Sequence, residues 1–282
     1  MIKLSAFADE AGMSMQEQIQ ALKRNNIPYI ELRWIDDQNV AYLSLEDAKR
    51  YQDIFEQNGI QVWSIGSPIG KIKITDDFEE HKNVLRHTCK VAKIFNCNRI
   101  RIFSFFEAYQ SEQLVYDYLR EMVEIAREEQ VELYHENEKF IFGDKVERVL
   151  RIMQNVKGLK YVYDPANYIE VGEDADYSLN ALHNQTDYFH IKDVISETGE
   201  IVPAGYGDGK IDKIVRQIDD DKVLSIEPHL AIFKGYAEID GTEMKNKFKF
   251  NTNTEAFDAA VKALKDVLYK AGYTEKDRAF VK

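Results

Sequence analysis

Residues 187–193 read DYFHIKD, a short aromatic and β-branched run that ends on a histidine and is followed at once by a lysine and an aspartate. Such a run is typical of a buried β-strand. Placing His190, Lys192 and Asp193 at the end of a buried strand is costly unless other groups pair with them. The segment therefore predicts that His190 meets partners from other parts of the chain.

Seven more apolar segments of this kind alternate with longer amphipathic segments along the 282 residues. The eight predicted strands are 2–7, 28–34, 60–65, 99–103, 131–135, 159–163, 186–190 and 222–226. The predicted helices are 14–26, 44–58, 76–95, 111–129, 144–155, 176–184, 211–218 and 254–271. This alternation predicts an α/β fold, namely a (β/α)8 TIM barrel.

An open, doubly wound sheet is the alternative arrangement for such a sequence. No Gly-x-Gly-x-x-Gly sequence follows the first predicted strand, where the phosphate-binding turn of that fold would lie. The glycine-rich run at 205–209 comes late in the chain and is interpreted as a flexible loop. Because no Pro/Gly/Ser-rich linker divides the chain, we predict one domain over residues 1–282. It would carry an insertion at about 231–253 and a short C-terminal surface tail at about 273–282.

The composition is that of a globular protein, with 44% hydrophobic and 30% charged residues and a net charge of −12. The negative charge disfavours a nucleic-acid partner, and no apolar run approaches the length of a membrane span. The first residues become polar too early for a signal peptide. Two cysteines, Cys89 and Cys97, do not indicate a disulfide framework, as is typical of a reducing compartment. We therefore expect a cytoplasmic enzyme without nucleic-acid or membrane partners.

The last four predicted strands end at Glu136, Asp164, His190 and Glu227. In barrels of this kind the C-terminal ends of the strands carry the catalytic groups, and consecutive strands bring these four side chains into one quadrant. Three carboxylates and one imidazole suit Mn²⁺, Mg²⁺, Co²⁺ or Zn²⁺. Without a cation the three carboxylates would repel one another. The pattern predicts one divalent metal ion at these four residues.

Other polar residues near the strand ends are candidates for contacting a substrate or for holding the metal ligands in position. The candidates for substrate contact are Glu31, Lys71, Arg101, Asn167 and Lys192. Asn137 and Asp193 are expected to support the ligands through hydrogen bonds. Simpler roles stay open: Asn137 is also a common turn residue, Lys71 could be a solvated loop lysine, and Lys192 could pair with Asp193.

Five short motifs resemble those of the xylose isomerase-like TIM barrel superfamily, the sugar phosphate isomerase and epimerase group. They are HENE at 135–138, DPAN at 164–167, HIKD at 190–193, GYGDG at 205–209 and SIEPH at 225–229. The resemblance covers nearly the whole chain and implies that Glu136, Asp164, His190 and Glu227 bind one divalent metal ion. It also implies that Glu136 and Glu227 form the catalytic acid/base pair of a sugar isomerase or epimerase. Such an enzyme moves a proton beside the carbonyl of a small keto-sugar or polyol through a metal-stabilised enediolate.

Two departures from the ketose 3-epimerase pattern leave a second reaction open. Asn167 stands where those enzymes usually have a histidine, and no arginine follows His190 closely. The HIKD motif also resembles the inosose dehydratases, which eliminate water at the same metal site, so the substrate is expected to be a small sugar or cyclitol. The non-enzyme alternative is a catalytically inactive sugar-binding barrel. The nuclease branch is disfavoured because the chain has only six histidines.

The resemblance also bears on assembly. Barrels of this group are often homodimers or homotetramers, so either state is expected here. The insertion at about 231–253 could then serve as a lid over the site or as a subunit interface.

Overall fold

A closed ring of eight parallel strands lies at the centre of the computed structural model, which describes residues 1–231 and 248–282. The strands are β1 (Ile2–Ala6), β2 (Tyr29–Leu32), β3 (Gln61–Gly66), β4 (Arg99–Ile102), β5 (Glu132–Glu136), β6 (Lys160–Tyr163), β7 (Tyr188–Ile191) and β8 (Lys222–Ile226). Each strand pairs with the next in parallel, and β8 closes the ring by pairing with β1 from Ile2–Lys222 to Ala6–Ile226. The predicted (β/α)8 barrel is confirmed.

The helices flank the strands in chain order, so that each crossover packs back onto the ring. In the described residues they are α1 (Met15–Arg24), α2 (Leu45–Gln57), α3 (Phe78–Ile94), α4 (Glu112–Glu128), α5 (Val146–Asn155), α6 (Pro165–Glu170), α7 (Ala175–Leu182), α8 (Ile211–Gln217) and α9 (Asn253–Lys270). Local sequence signals determine where some of these helices begin: Ser14 and Glu17 form a capping box at α1, and Ser44 caps α2. The short helix α6 was not predicted, and it begins directly behind Asp164, whose side chain caps it.

The barrel interior below the mouth is packed rather than hollow. Side chains on a strand alternate in direction, so Tyr134 and Tyr188 lie in the layer beneath Glu136 and His190. The ring centroids of Tyr134 and Tyr188 are 5.6 Å apart, and Trp63 lies edge-on to Tyr188 at 6.2 Å. Polar groups at the mouth therefore rest on an aromatic floor, which keeps water away from them on that side.

The C-terminal residues do not form the free surface tail that was predicted. Strands Thr274–Lys276 and Ala279–Val281 make a hairpin, and its second strand pairs antiparallel with the start of β1. Phe280 is 2% exposed, so burial of its ring stabilises this end of the ring of strands. Residues 232–247 of the predicted insertion lie outside the described residues.

Across residues 1–231 and 248–282, no helix combines the length and the apolar character that a membrane span needs.

Candidate active site

The four predicted metal ligands meet at the C-terminal mouth of the barrel. One donor atom from each of Glu136, Asp164, His190 and Glu227 lies within 4.8 Å of the others. Glu136 and His190 belong to β5 and β7, and Asp164 and Glu227 directly follow β6 and β8. All four side chains are buried. The ends of the strands thus bring one imidazole and three carboxylates together at a single point.

The imidazole of His190 is oriented from both sides. Its Nδ1 lies 2.9 Å from Glu136 Oε1 and 3.4 Å from Glu227 Oε2, and its Nε2 lies 3.1 Å from Glu31 Oε2. Burial alone would lower the pKa of His190, but the charges of Glu136 and Glu31 outweigh it and raise that pKa well above its ordinary value. Without a cation, each ring nitrogen therefore carries a proton that faces a carboxylate. A divalent cation would replace the proton on Nδ1 while Glu31 holds the one on Nε2, as is typical of metal-ligating histidines.

Asp164 carries the clearest sign that a cation fits this point. Its Oδ1 accepts the N–H of Asn167 at 3.1 Å. Its Oδ2 is buried without a hydrogen-bond partner among the described residues, and Lys192 Nζ lies 3.4 Å away. Burial raises the pKa of Asp164 to about 7; Lys192 opposes this shift, and the charges of Glu136 and Glu227 add to it. A buried carboxylate oxygen that makes no hydrogen bond is costly, and a hard divalent cation would satisfy it beside Lys192.

Arg33, to which the sequence analysis assigned no role, bridges three carboxylates on one side of the site. Its Nη1 donates to Glu227 Oε1 at 2.8 Å and its Nε to Asp9 Oδ2 at 2.8 Å. Its Nη2 donates to Glu10 Oε1 at 3.2 Å. Burial alone would lower the pKa of Arg33, but the three carboxylates raise it above its ordinary value. The available signal was the acidic pair Asp9–Glu10, placed just after the first strand.

A second arginine lies against the other proposed acid/base residue. Arg101 Nε is 3.2 Å from Glu136 Oε2, and Arg101 Nη1 donates to the carbonyl of Ser67 at 3.1 Å. Burial alone would raise the pKa of Glu227, but its hydrogen bonds to His190 and His229 hold that pKa well below its usual range. Glu136 and Glu227 therefore each have an arginine of their own, one from β4 and one from the end of β2.

A cavity of about 400 Å³ opens beside the two arginines, over β2 to β4. Its wall combines the cations Arg33, Lys71 and Arg101 with the rings of Trp34, Tyr42, Phe103 and Phe106. Lys71 Nζ lies 3.0 Å from Glu138 Oε2 and 4.3 Å from the ring centroid of Phe103. Of the five residues predicted to contact substrate, Lys71 and Arg101 thus line this cavity.

Asn137, Asn167 and Lys192 form a network around Asp164. Asn137 donates through Nδ2 to the Asp164 carbonyl at 2.8 Å and accepts the Asp164 N–H at 2.9 Å. Asn167 donates to the Asn137 carbonyl at 2.8 Å and accepts a hydrogen bond of 2.6 Å from Lys192 Nζ. Burial alone would lower the pKa of Lys192, but the charge of Asp164 raises it well above its ordinary value. This network fixes the backbone that presents Asp164.

The substrate contact predicted for Glu31 stays a prediction, and the described contacts of Glu31 lie within the barrel. Glu31 is fully buried. Its Oε1 accepts from the hydroxyl of Tyr188 at 2.9 Å and its Oε2 faces His190. Because its side chain points into the barrel below His190, it supports that histidine and does not reach the cavity.

The predicted role of Asp193 beside the metal ligands was wrong. Its carboxylate accepts the N–H groups of Gly205, Gly207 and Gly209 at 2.8, 3.0 and 2.9 Å. A Cβ on Gly207 would lie 2.4 Å from Asp193 Oδ1, so only glycine permits this close approach. The loop 205–209, interpreted from sequence as flexible, is instead built around one buried carboxylate.

One histidine near the cavity gives a pH dependence that can be measured. Nε2 of His81, on α3, accepts the N–H of Gly70 at 2.9 Å, and burial lowers the pKa of His81 to about 4 from 6.5. Between these values the unfolded chain binds more protons than the native state, so stability falls as the pH falls through this window. We expect the contribution of His81 to shrink by about 2 kcal/mol between pH 7 and pH 5.

Urea unfolding of the wild-type protein and of His81→Gln at pH 7 and pH 5 measures this difference. The variant should lose less stability than the wild-type protein on acidification. Equal losses in the two proteins would contradict the role given to His81.

Comparison with known families places the fold. The sequence profile of the xylose isomerase-like TIM barrel family matches residues 19–250. The chain belongs to the xylose isomerase-like TIM barrel family. No curated protein matches it in a sequence comparison.

Solved structures share the xylose isomerase-like fold at low sequence identity. A probable 3-DHS dehydratase, AsbF, from Bacillus anthracis is 18% identical with a TM-score of 0.71, over 93% of this chain and 98% of that one. The IOLI protein with a bound zinc atom is 17% identical with a TM-score of 0.70, over 95% and 99%. A D-psicose 3-epimerase in the presence of D-fructose is 14% identical with a TM-score of 0.72, over 96% and 99%. At this identity the likeness shows the fold, whose members here include epimerases and a dehydratase.

Proposed function

We propose that the protein is a divalent-metal-dependent isomerase or epimerase that acts on a keto-sugar by proton transfer. The observation that carries the proposal is the placement of Glu136 and Glu227 on the same nitrogen of His190, at 2.9 and 3.4 Å. Two carboxylates that border one cation-binding point can reach the two faces of a substrate carbon held there. The metal-bearing and epimerising relatives of this fold support the same choice.

The chain's own residues supply the proton transfer in this proposal. Glu136 or Glu227 removes the proton beside the carbonyl, and the other glutamate returns one to the opposite face. Arg101 and Arg33 hold these carboxylates in a fixed direction through their ion pairs. The aromatic floor and the buried walls exclude water, which strengthens these electrostatic contacts. A bound divalent ion would stabilise the negative charge that develops on the substrate oxygens.

Dehydration is the second candidate, and Lys192 is the observation that favours it. Its ammonium lies 3.4 Å from Asp164 Oδ2, so it borders the same point as the two glutamates. A cationic N–H donor there could protonate a departing hydroxyl group. Similarity of the fold to a probable 3-DHS dehydratase agrees with this candidate.

Metal binding is the first property to test, since both reactions need it. Mn²⁺ at 100 times its dissociation constant should stabilise the protein by about 2.7 kcal/mol, measured as a rise in melting temperature. Asp164→Asn should fold, because asparagine also caps helices, and should lose most of that rise. Asp176→Asn, on the surface of α7, should keep it. If Mn²⁺, Mg²⁺, Co²⁺ and Zn²⁺ all leave the wild-type melting temperature unchanged, both reactions are excluded.

Incubation of the Mn²⁺-loaded protein with ketohexoses and inososes in D₂O separates the reactions. Deuterium at the carbon beside the carbonyl, with no loss of water, supports the isomerase or epimerase. An ultraviolet-absorbing unsaturated product supports the dehydratase. If neither appears although the sugar binds, the barrel binds sugars without catalysis.

A further inference from the structure

The 400 Å³ cavity over β2 to β4 lies beyond the point where the reacting carbon must be held. Of the proposed acid/base pair, Glu136 ends β5 and Glu227 directly follows β8. The cavity borders that pair through two arginines, because Arg33 and Arg101 line it and contact Glu227 and Glu136 at 2.8 and 3.2 Å. A ligand with its reacting ring between the glutamates would thus leave this cavity for a second group.

The cavity wall has the chemistry of a ring-binding site. Trp34, Tyr42 and Phe106 present aromatic surface, and Tyr42 is 65% exposed. An exposed aromatic side chain beside a concave site gains contact area when a ring stacks on it. Large aromatic faces with a few polar groups are typical of sites for small molecules, whose volumes are roughly 300–1,000 Å³.

One residue of the wall also carries a donor that remains to be paired. Nε1 of Trp34 is buried without a hydrogen-bond partner among the described residues. The cations of the wall already face carboxylates: Lys71 faces Glu138, and Arg101 faces Glu136. The wall therefore does not require an anion. An N–H donor next to ring faces suits a group with an apolar face and a hydroxyl edge, which describes a sugar ring.

The aromatic wall is held in place before any ligand arrives. Trp34–Ile35 pairs with Gln38–Asn39 in a hairpin whose turn residues, Asp36 and Asp37, have φ of +47° and +64°. The carboxylate of Asp36 accepts from the Met15 N–H at 2.8 Å and from the Tyr51 hydroxyl at 2.9 Å. These contacts tie the hairpin to α1 and α2. Ordering the hairpin that carries Trp34 therefore takes little binding energy from the ligand.

We propose that the natural substrate is a glycosylated keto-sugar, with its reacting ring between Glu136 and Glu227 and its second sugar ring in the aromatic cavity. This rests on the proposed function and names the substrate class of the same site.

The test compares three probes on the Mn²⁺-loaded protein by calorimetry: D-fructose, 6-O-glucosyl-D-fructose and 6-O-benzyl-D-fructose. We expect the disaccharide to bind about tenfold more tightly than fructose, and more tightly than the benzyl ether, because stacking and the Trp34 N–H act together. Equal affinities for fructose and the disaccharide would overturn the proposal. A benzyl ether that binds as tightly as the disaccharide would overturn the sugar as the second ring.

Variants test whether the preference for the disaccharide over fructose arises in the cavity. Trp34→Ala and Tyr42→Ala should each bring the affinity ratio of disaccharide to fructose close to one. Tyr42 is mostly exposed, so its variant keeps the test valid even if Trp34→Ala folds poorly. The matched control is Tyr177→Ala, an exposed tyrosine of α7 outside the cavity, which should keep the ratio. An unchanged ratio in Tyr42→Ala would overturn the proposal.

Deuterium exchange distinguishes a wrong substrate class from a wrong reaction. Exchange into fructose together with equal affinities would overturn the glycosylated substrate and leave the proposed reaction standing. A disaccharide preference that depends on Tyr42, without any exchange, would support the cavity and count against the reaction.

Discussion

Glu136→Gln is expected to slow deuterium exchange beside the substrate carbonyl by at least about 10³-fold, and Glu227→Gln by a similar factor. An amide of nearly the same shape cannot accept the proton, although the surrounding contacts can largely persist. If the two glutamates serve opposite faces, each variant should fail most strongly with one of the two epimers of the substrate. Exchange into each purified epimer in D₂O, followed by NMR, measures both effects.

Glu132→Gln is the matched control for this pair. Glu132 begins the same strand as Glu136 but is exposed at the opposite end of it. Its variant should exchange at the wild-type rate. The acid/base assignment is contradicted if Glu136→Gln and Glu227→Gln, with Mn²⁺ binding retained, exchange as fast as Glu132→Gln.

Arg33→Met is expected to destabilise the metal-free protein by about 3–5 kcal/mol. The substitution leaves Asp9, Glu10 and Glu227 buried without the cation that bridges them. Lysine keeps the charge but cannot form the forked contacts. The free energy of unfolding of Arg33→Lys should therefore lie between those of Arg33→Met and the wild-type protein. Urea unfolding in the presence of a chelator gives the free energies.

A surface arginine provides the comparison. Arg24 pairs with Asp258 at 2.7 Å but is 42% exposed, so Arg24→Met should cost less than about 1 kcal/mol. Adding Asp9→Asn to Arg33→Met should recover part of the lost stability, because one buried charge is removed. Equal losses in Arg33→Met and Arg24→Met would show that the carboxylates around Arg33 do not depend on it.

The fold and the meeting of four candidate ligands could be predicted because both depend on strand order. Parallel strands end at one edge of the ring, so a residue at the end of a strand has a fixed place. Which residues hold the candidate ligands in position depends on where each side chain points across the ring. The local sequence does not determine that direction. The contacts of Glu31 and Asp193 were therefore not predicted, since one points into the barrel below His190 and the other into a glycine loop.

Arg33 is a residue whose role the sequence analysis missed for the same reason. Its partners lie 24, 23 and 194 residues away in sequence. A lone arginine at the end of a short strand gives no local sign of three buried partners. The cavity wall likewise joins residues of three crossovers, among them Trp34, Lys71 and Phe106.

The two halves of the chain contribute different groups to the mouth of the barrel. All four candidate ligands come from β5 to β8, whereas both arginines and the aromatic cavity come from β1 to β4 and their loops. A chimera that keeps the second half and takes the first half from another barrel of this fold would retain every donor to the cation. It would exchange the charges that balance those donors and the wall that selects the ligand. Under the proposed function, the candidate cation donors and the proposed recognition wall therefore lie on opposite sides of one chain position, between β4 and β5.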